Sequence, residues 1–371
     1  YIIKLMAYSV LDKKVCIVSI SLGKGGAERS TALLSQMLNS LGYQVHLVIL
    51  TDDISYGYEG TLFNLGLKKR ETNTFFSRLL RFRRFKKYIV QHKFDYIIDN
   101  RVKNNSLKEL FYLNYIYQNQ KLIYVVRSAY LENYFPGRNT YLAKYTSKRI
   151  IERVHKIVTV SKFIQKKVEK KFNSSKVYTI YNPIEELSVN SEKFKEKYIL
   201  FLGRLVDEVK NISLLIEAYA KSNLPKYNIH LKILGVGPDI LFLKKKVKNI
   251  NLLQYVSFIP YTPEVGNFLS QAKFTVLTSR YEGFPRVLIE SLSVGTPVVS
   301  VNCNSGPSEI VHHEKNGLLV ENHNPSELAL AFNRMYEDEE LYAKCKKNAC
   351  SSVEHLSMRF IAKQWKEVLS L

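Results

Sequence analysis

Two glutamates eight positions apart make the segment from Arg280 to Glu290 the strongest candidate for chemistry in this chain. Glu282 precedes Gly283 in a predicted loop. Glu290 lies in a predicted helix that starts near Pro285, because proline is tolerated early in a helix, where its missing N–H is not needed. A carboxylate within an otherwise apolar helix requires a partner, such as the hydroxyl groups of a ribose. A solvated helix glutamate is the alternative at this point.

Two cations follow an earlier predicted strand. Arg204 comes after Gly203, directly at the strand end, and Lys210 precedes the next predicted helix. An arginine can bind a pyrophosphate through two parallel hydrogen bonds, and a lysine acts beside it as a point charge. Because surface arginines and lysines are common, position alone is weak support for an anion site.

A glycine-rich loop follows the first predicted strand. Gly25 and Gly26 leave bare backbone amides at the start of a predicted helix, which suits an anionic group. A dinucleotide fingerprint, G-x-G-x-x-G, would need its third glycine where Glu28 stands, so the pattern argues against a dehydrogenase. The alternative is a tight turn that only packs the helix on the sheet.

The pattern of the whole chain predicts where these loops lie. Apolar, β-branched runs alternate with helical patterns on both sides of a polar stretch at 183–197, which is a predicted interdomain linker. Apolar runs without strict alternation indicate parallel sheets covered by helices on both faces. Such sheets bind ligands beyond the carboxyl ends of their strands. The sequence therefore predicts an α/β protein with two doubly wound domains.

Composition excludes several protein classes. Of the 371 residues, 46% are hydrophobic, which excludes a disordered or collagen-like chain. The sequence predicts no spanning helix, and residues 1–14 lack the features of a secretory signal. The four cysteines form no C-x-x-C pair, which argues against a disulfide scaffold and a zinc ribbon. No D-x-D or H-E-x-x-H motif occurs, so we expect no metal site.

The positive charge is concentrated in the first half of the chain. Residues 1–190 contain 32 Lys and Arg against 14 Asp and Glu, within a total net charge of +22. This asymmetry predicts an anionic partner: nucleic acid, anionic lipid or a phosphorylated substrate. The stretch 74–92 has the pattern of a basic amphipathic helix that suits lipid headgroups, and a second basic run spans 162–171. An ordinary domain helix with solvated charges is the alternative. No nucleic-acid reader module is recognisable, so we expect no nucleic-acid partner.

These motifs, in their order and spacing, resemble the retaining glycosyltransferases of the GT-B fold, family 4 (glycosyl transferases group 1). The segment from Glu282 to Glu290, E-G-F-P-x-x-x-x-E, is similar to the E-x7-E signature of that family. The resemblance extends along most of the chain. Further matching motifs are Gly25-Gly26-Ala27-Glu28-Arg29, Tyr181-Asn182-Pro183, Gly203-Arg204-Leu205, Lys210-Asn211 and Gly306-Pro307-Ser308-Glu309.

The resemblance implies a two-domain architecture in which two Rossmann-like domains face each other across a central cleft. Residues 1–185 would form the N-terminal, acceptor-binding domain. Residues 198–357 would form the C-terminal domain, which binds the nucleotide sugar. A final helix at 358–371 would cross back to the N-terminal domain.

The resemblance also implies roles for the donor-side residues. Arg204 and Lys210 would bind the donor diphosphate and stabilise its charge as it leaves. Glu290 would bind the ribose hydroxyls, and Glu282 would contact the hydroxyls of the donor sugar. The remaining residues of the expected donor site are Gly203, Gly283, Phe284, Pro285 and Arg286.

The acceptor side is less well defined by the resemblance. The loop of Gly25, Gly26 and Glu28 would approach the donor phosphates or the acceptor. Arg127 stands where family members often carry a His or an Arg-Asn pair. It would take an acceptor-side or sugar-side role, with a structural salt bridge as the alternative.

The implied function is transfer of a sugar, with retention of anomeric configuration, from a nucleotide-diphosphate sugar, expected to be UDP-linked. The expected acceptor is a glycan on a polyprenyl diphosphate, in bacterial glycan assembly at the inner face of the cytoplasmic membrane. The nucleotide sugar is a substrate, so no cofactor is expected. Two alternatives stay open: a transferase with a soluble sugar-phosphate acceptor, and a nucleotide-sugar epimerase of the same fold.

Overall fold

The computed structural model describes five stretches of the chain: 13–66, 74–136, 140–189, 198–321 and 323–370. The chain forms two compact units, one comprising Tyr1–Pro183 with Met358–Leu371 and the other Ile184–Ser357. The N-terminal residues 1–12 and most of the predicted linker, residues 190–197, lie outside the described residues.

The first unit is built on one parallel sheet of seven strands. These are β1 (Lys14–Ser19), β2 (Gln44–Ile49), β3 (Thr61–Asn64), β4 (Tyr96–Asp99), β5 (Leu122–Val126), β6 (Lys156–Thr159) and β7 (Val177–Thr179). Their order is β3-β2-β1-β4-β5-β6-β7, and every pairing is parallel. The central strands are almost fully buried, because helices cover both faces of the sheet.

Helices connect these strands and cover the sheet. They are α1 (Gly26–Ser40), α2 (Phe75–His92), α3 (Ser106–Phe111), α4 (Tyr141–Arg153) and α5 (Lys162–Phe172). A π-helical turn at Tyr112–Tyr117 continues α3. Side-chain oxygens cap the starts of α2 and α5: the amide of Ser77 donates to Thr74, and that of Ile164 donates to Ser161.

The second unit repeats this architecture with six parallel strands. These are β8 (Tyr198–Leu202), β9 (His230–Leu234), β10 (Val256–Ile259), β11 (Thr275–Leu277), β12 (Val298–Val301) and β13 (Gly317–Val320). Their order is β10-β9-β8-β11-β12-β13. The helices are α6 (Asp207–Lys210), α7 (Ile212–Lys221), α8 (Ile240–Asn249), α9 (Val265–Gln271), α10 (Arg286–Ser293), α11 (Pro307–Ile310), α12 (Pro325–Glu337) and α13 (Glu339–Val353). The predicted fold class, two doubly wound parallel-sheet domains, is confirmed.

The last helix, α14 (Met358–Ser370), belongs to the first unit. It packs against α1 and buries Trp365 and Leu369. The ammonium group of Lys156 on β6 donates to the carbonyl of Val368, in the last turn of the helix, where carbonyls lack helical partners. Among the helices in the described part of the chain, none combines the length and apolar character needed to cross a membrane.

A cluster of buried charges lies directly after β4. The Arg101 guanidinium donates to Asp99 at 2.7 Å and to Glu109 at 3.2 Å, and it lies 3.5 Å from the ring centre of Tyr112. Lys103 Nζ donates to the carbonyls of Asp99 and Arg101. Burial raises the pKa of Asp99, but Arg101 and Lys103 together lower it by more. The pKa of Asp99 is therefore below its usual value. Burial lowers the pKa of Lys103 to about 8.

Replacing Arg101 with methionine should destabilise the first unit by about 3–5 kcal/mol, because it removes the guanidinium that donates to both buried carboxylates, Asp99 and Glu109. Urea unfolding near neutral pH, followed by the fluorescence of Trp365, measures this loss in the unit that contains the single tryptophan. Arg149→Met is the matched control. It breaks an exposed pair with Glu152 and should cost less than about 1 kcal/mol. Equal losses in the two variants would contradict this account of the cluster.

Candidate functional site

The order of the strands locates a crevice in the second unit. From β8 the chain proceeds outward to β9 and β10 on one side, and then continues with β11, β12 and β13 on the other. The loops after β8 and β11 therefore leave the sheet in opposite directions and open a crevice at their carboxyl ends. Open parallel sheets bind ligands at this position, and the predicted donor-side residues follow these two strands.

The central contact of this crevice joins Lys210 and Glu282. Lys210 ends α6, which follows β8, and Glu282 lies in the loop after β11. Lys210 Nζ donates to Glu282 Oε1 at 2.5 Å, and Ser279 Oγ donates to the same oxygen at 2.6 Å. Both side chains of the ion pair are mostly buried. The structure thus brings together two residues that the sequence places 72 positions apart.

Three hydrogen bonds hold the backbone around Lys210 against the chain after β11. Thr278 Oγ1 donates to the carbonyl of Lys210 at 2.9 Å, and the amide of Arg280 donates to the carbonyl of Val209 at 2.9 Å. The Arg280 guanidinium donates to Asn211 Oδ1, also at 2.9 Å. Asn211 has a φ of 49°, in the left-handed region that asparagine tolerates better than most residues. The end of α6 is therefore fixed at both backbone and side chain.

Gly203 and Arg204 directly follow β8, and Gly203 lies beside Lys210. A Cβ on Gly203 would lie 3.7 Å from Lys210 Cε. Gly235, after β9, has a φ of 155°, and a Cβ there would lie 1.9 Å from the Gly203 carbonyl oxygen. Only glycine permits this close approach of two loops. Arg204 is exposed, and it makes no side-chain hydrogen bond or ion pair within the described ranges.

Glu290 is a buried carboxylate on α10, with 4% of its surface exposed. Arg286, one turn earlier on the same helix, donates from Nε to Glu290 Oε1 at 3.2 Å. The sequence predicted a partner for this carboxylate and did not identify Arg286 in that role. The i,i+4 spacing of arginine and glutamate was the available signal.

The loop after β12 supports the segment between Glu282 and α10. Gly306 has a φ of 96°, and a Cβ there would lie 2.5 Å from Pro285 Cδ. Ser305 Oγ donates to the carbonyl of Gly283 at 2.8 Å. Phe284, which stands between Gly283 and Pro285 in the sequence, is buried. Pro285 occupies the N-cap position of α10 and makes no side-chain capping hydrogen bond. The first-turn amides of that helix come directly after the loop.

The other predicted loop residues lie in the first unit. Gly25 precedes α1, whose first residue is Gly26. A Cβ on Gly25 would lie 2.1 Å from a carboxylate oxygen of Glu28, so the glycine gives room for Glu28 to fold back over the helix start. A carboxylate is favourable at this position because the helix N-terminus carries partial positive charge. An anionic ligand entering this loop must displace Glu28.

Arg127 follows β5 and is held by two amide side chains. Its guanidinium donates to Asn182 Oδ1 at 3.0 Å and to Asn100 Oδ1 at 3.2 Å. Ser30 on α1 donates to the same oxygen of Asn182, and Asn100 donates to Thr31. These amide partners carry no formal charge, and they orient the guanidinium. Among the residues that the structure describes, no cluster of three or more His, Cys, Asp or Glu converges as a metal site requires.

Two family models match consecutive parts of this chain. The model described as "Glycosyltransferase Family 4" matches residues 24–186. The model described as "Glycosyl transferases group 1" matches residues 184–351. Together they span residues 24–351, which include every predicted site residue.

Two glycosyltransferases are similar to this chain in sequence. An uncharacterized glycosyltransferase of Haemophilus influenzae is 29% identical over 231 residues, which cover 62% of this chain and 64% of that protein. The N-acetylgalactosamine-N,N'-diacetylbacillosaminyl-diphospho-undecaprenol 4-alpha-N-acetylgalactosaminyltransferase of Campylobacter jejuni is also 29% identical. That match covers 91% of this chain and 94% of the Campylobacter protein.

A solved structure shares the fold. The crystal structure of Anabaena HepE in complex with UDP superposes with a TM-score of 0.76 at 19% identity. The superposition covers 96% of this chain and 99% of that one. The fold is therefore that of solved GT-B glycosyltransferases.

Replacing Gly306 with alanine should disturb the loop that carries Glu282. Its positive φ and the contact with Pro285 would force a backbone shift that costs about 1–3 kcal/mol. We expect faster amide hydrogen exchange in residues 281–290, measured by mass spectrometry. Gly57→Ala is the control, because a Cβ on Gly57 meets nothing within 4 Å. Unchanged exchange in 281–290 would show that the loop after β12 does not support this segment.

Proposed function

The chain belongs to the group 1 glycosyltransferases, and we propose that it moves a sugar from a UDP-linked donor to a hydroxyl group of a lipid-linked glycan. The contact of Lys210 with Glu282, at the carboxyl ends of β8 and β11, is the observation that carries this proposal. It places a cation and a hydrogen-bonding carboxylate together where open sheets bind nucleotides. The UDP bound to the solved structure of similar fold supports the choice of donor.

Arg204 and Lys210 act on the donor diphosphate. As the bond between sugar and phosphate breaks, negative charge accumulates on the departing UDP. A cation already in place stabilises that charge without reorganisation at the moment of reaction. Lys210 is fixed by Glu282 and by the bonds to its backbone, whereas Arg204 is exposed, and we assign it to the phosphates. These two charges supply what a metal ion would otherwise supply, so transfer proceeds without a metal.

The transfer retains the configuration of the sugar. The acceptor oxygen forms its bond to the anomeric carbon on the face from which UDP departs. The bond between the anomeric carbon and the diphosphate oxygen breaks, and its electrons leave with UDP. The departing phosphate takes the proton of the acceptor hydroxyl, so the products are the glycoside and UDP. Glu282 binds hydroxyls of the donor sugar, whereas Glu290 binds a different part of the donor. The two carboxylates therefore do not act together on one glycosidic bond, as the pair in a glycosidase does.

Glu290 binds the ribose of UDP. Its carboxylate is buried and has one oxygen on Arg286, which orients it. Carboxylates of this kind accept hydrogen bonds from both hydroxyls of a ribose. The backbone from Gly283 to Arg286 contributes amides to the sugar and phosphates at the start of α10.

The acceptor binds to the first unit, whose charge suits a polyprenyl diphosphate. The Gly25-Gly26 loop with Glu28, and Arg127 held by Asn100 and Asn182, are the residues we assign to it. The excess of cations in this half of the sequence supports an enzyme that works peripherally at the inner face of the bacterial cytoplasmic membrane. The name of the Campylobacter relative, which includes a diphospho-undecaprenol acceptor, supports the same class of acceptor.

The proposal predicts transfer of label from one UDP-sugar into lipid. Bacterial membranes, the full chain and a panel of UDP- and GDP-sugars are incubated with EDTA, and the organic-extractable lipid is counted. Lys210→Ala should reduce the rate about 10²–10³-fold, because it removes charge stabilisation in the transition state. Lys221→Ala, which changes an exposed lysine on α7, should retain the full rate.

Other outcomes of this experiment contradict separate parts of the proposal. Label in a water-soluble product would favour a soluble acceptor. Free sugar without any acceptor would favour an epimerase. Loss of transfer in EDTA would contradict metal independence, and an active Lys210→Ala variant would contradict the assigned site.

Replacing Glu290 with glutamine tests the ribose assignment. We expect the KM for the UDP-sugar to rise about tenfold with kcat nearly unchanged, because ribose binding is equal in the ground and transition states. A donor with 2′-deoxyribose should lose affinity in the wild type and less in the variant, since a neutral amide accepts a weaker hydrogen bond from that hydroxyl than a carboxylate does. Glu327→Gln, on the exposed start of α12, is the control. If the variant and the wild type lose the same affinity when the 2′-deoxyribose donor replaces the normal one, the ribose assignment is refuted.

A further inference from the structure

The helix α2 presents apolar residues on two opposite faces. Phe85 and Ile89 are buried against the first unit. On the opposite side, Phe76 and Leu80 are 75% and 58% exposed. A surface helix of a globular domain normally has charged and polar residues there. The outward face of α2 therefore requires its own explanation.

The outward residues of α2 follow one line along the helix. The exposed residues that lie four and three positions apart are Phe76, Leu80, Arg83, Lys87 and Val90. The line begins with large apolar side chains and continues with cations. The helix has six Lys and Arg and no Asp or Glu. This combination is that of helices that lie in the interface of an anionic membrane.

The helix α4 repeats this arrangement with different residues. Tyr141 is 87% exposed and Tyr145 is 45% exposed, and they are followed on the same line by Lys148. Between the two helices, α3 contributes Leu107, which is 70% exposed. Three separate segments of the chain therefore place large apolar or aromatic side chains on the surface, and in α2 and α4 exposed cations follow on the same line.

These three helices are neighbours in the first unit. Phe82 of α2 contacts the ring of Phe111 at the end of α3, with ring centres 5.0 Å apart, and α3 packs against α4. Each helix leads into a strand of the parallel sheet, so its start lies at the carboxyl edge of that sheet. The exposed apolar residues are in the first turns. They therefore lie at the same edge as Asn100 and Arg127, which follow β4 and β5.

We propose that this surface, the docking face, binds the headgroup and upper acyl region of an anionic lipid bilayer. It consists of Phe76, Leu80, Arg83, Lys87, Leu107, Tyr141, Tyr145 and Lys148. The apolar and aromatic residues enter the interface, where tyrosine is favoured, and the cations contact the lipid phosphates. This inference rests on the proposed function, since it brings the lipid surface to the edge where the acceptor would bind.

Charge favours a bilayer over a second protein or a second copy of this chain. Two copies would bring the same cations face to face, and like charges oppose that contact. A bilayer that contains anionic lipid offers the opposite charge over an unlimited area, and it accommodates scattered apolar side chains without shape complementarity.

The test is sedimentation of the full chain with vesicles, without donor or acceptor. Vesicles of phosphatidylcholine alone are compared with vesicles of phosphatidylcholine and phosphatidylglycerol in a two-to-one ratio. We expect binding to the anionic vesicles only. The double variants Phe76→Ser/Leu80→Ser and Arg83→Gln/Lys87→Gln should each weaken that binding at least about tenfold. All four residues are exposed, so thermal unfolding should be unchanged.

Matched controls come from the second unit. Leu253→Ser/Leu330→Ser changes two leucines that are 61% and 67% exposed, and Lys346→Gln/Lys347→Gln changes two exposed lysines. Both should bind vesicles as the wild type does. Absent binding, equal binding to neutral vesicles, or equal loss in the controls would overturn the docking face. So would a dimer in light scattering that Phe76→Ser/Leu80→Ser dissociates.

Transfer assays keep this result separate from the proposed function. A chain that binds anionic vesicles through the docking face, yet transfers no sugar to lipid, would contradict the proposed acceptor and leave the docking face supported. A chain that labels lipid, with docking-face variants that bind vesicles normally, would overturn the docking face alone.

Discussion

The parallel pairing of β8 with β11 is the constraint on which the candidate donor site depends. These two strands are adjacent in the sheet but separated by two intervening strands in the sequence. Their carboxyl ends open side by side, and Lys210 follows one strand while Glu282 follows the other. Lys210 and Glu282 meet at 2.5 Å as a consequence. Any change in strand order would separate the cation from the carboxylate, whatever the local sequence.

Glycines and buried polar groups convert this constraint into a fixed geometry. Gly235 and Gly306 let neighbouring loops approach so closely that a Cβ would collide, and these loops support Gly203 and Pro285. In the first unit, buried charged side chains fix the loop after β4. Arg101 and its carboxylates form a buried cluster after β4, beside Asn100, which in turn holds Arg127. Both units thus place rigid support directly behind the residues that we assign to substrates.

Much of the fold and part of the site could be predicted from the sequence. Apolar runs predict strands at 15–20, 45–50, 95–99, 121–126, 156–160 and 176–181 in the first unit and at 198–202, 229–234, 255–258, 274–277 and 297–301 in the second, and these match eleven of the observed strands. Pro285 predicts the start of α10 within a residue. The short edge strands β3 and β13 were missed, because an edge strand is only partly buried and its apolar pattern is weak. The buried cluster was also missed. Asp99, Arg101 and Lys103 alternate with Asn100 and Val102, and a local charge pattern of this kind is typical of a solvated loop.

The partners of the site residues were harder to predict than the residues themselves. Spacing singled out Glu282, Lys210 and Glu290, but not that Ser279 shares an oxygen of Glu282 or that Arg286 holds Glu290. Those contacts depend on how two loops cross in space, which periodicity does not encode. Which apolar residues of α2 and α4 face outward could not be predicted from the sequence, for a related reason. In the sequence they are interleaved with core residues, and only the packing separates the two faces.

The most direct test of the central claim is hydrogen–deuterium exchange of the full chain with and without UDP. The account predicts protection in two segments, 203–211 and 279–291, because they carry the assigned diphosphate and ribose contacts around the crevice between β8 and β11. Protection confined to the first-unit loop at 23–30, or no protection of either segment at saturating UDP, would contradict it.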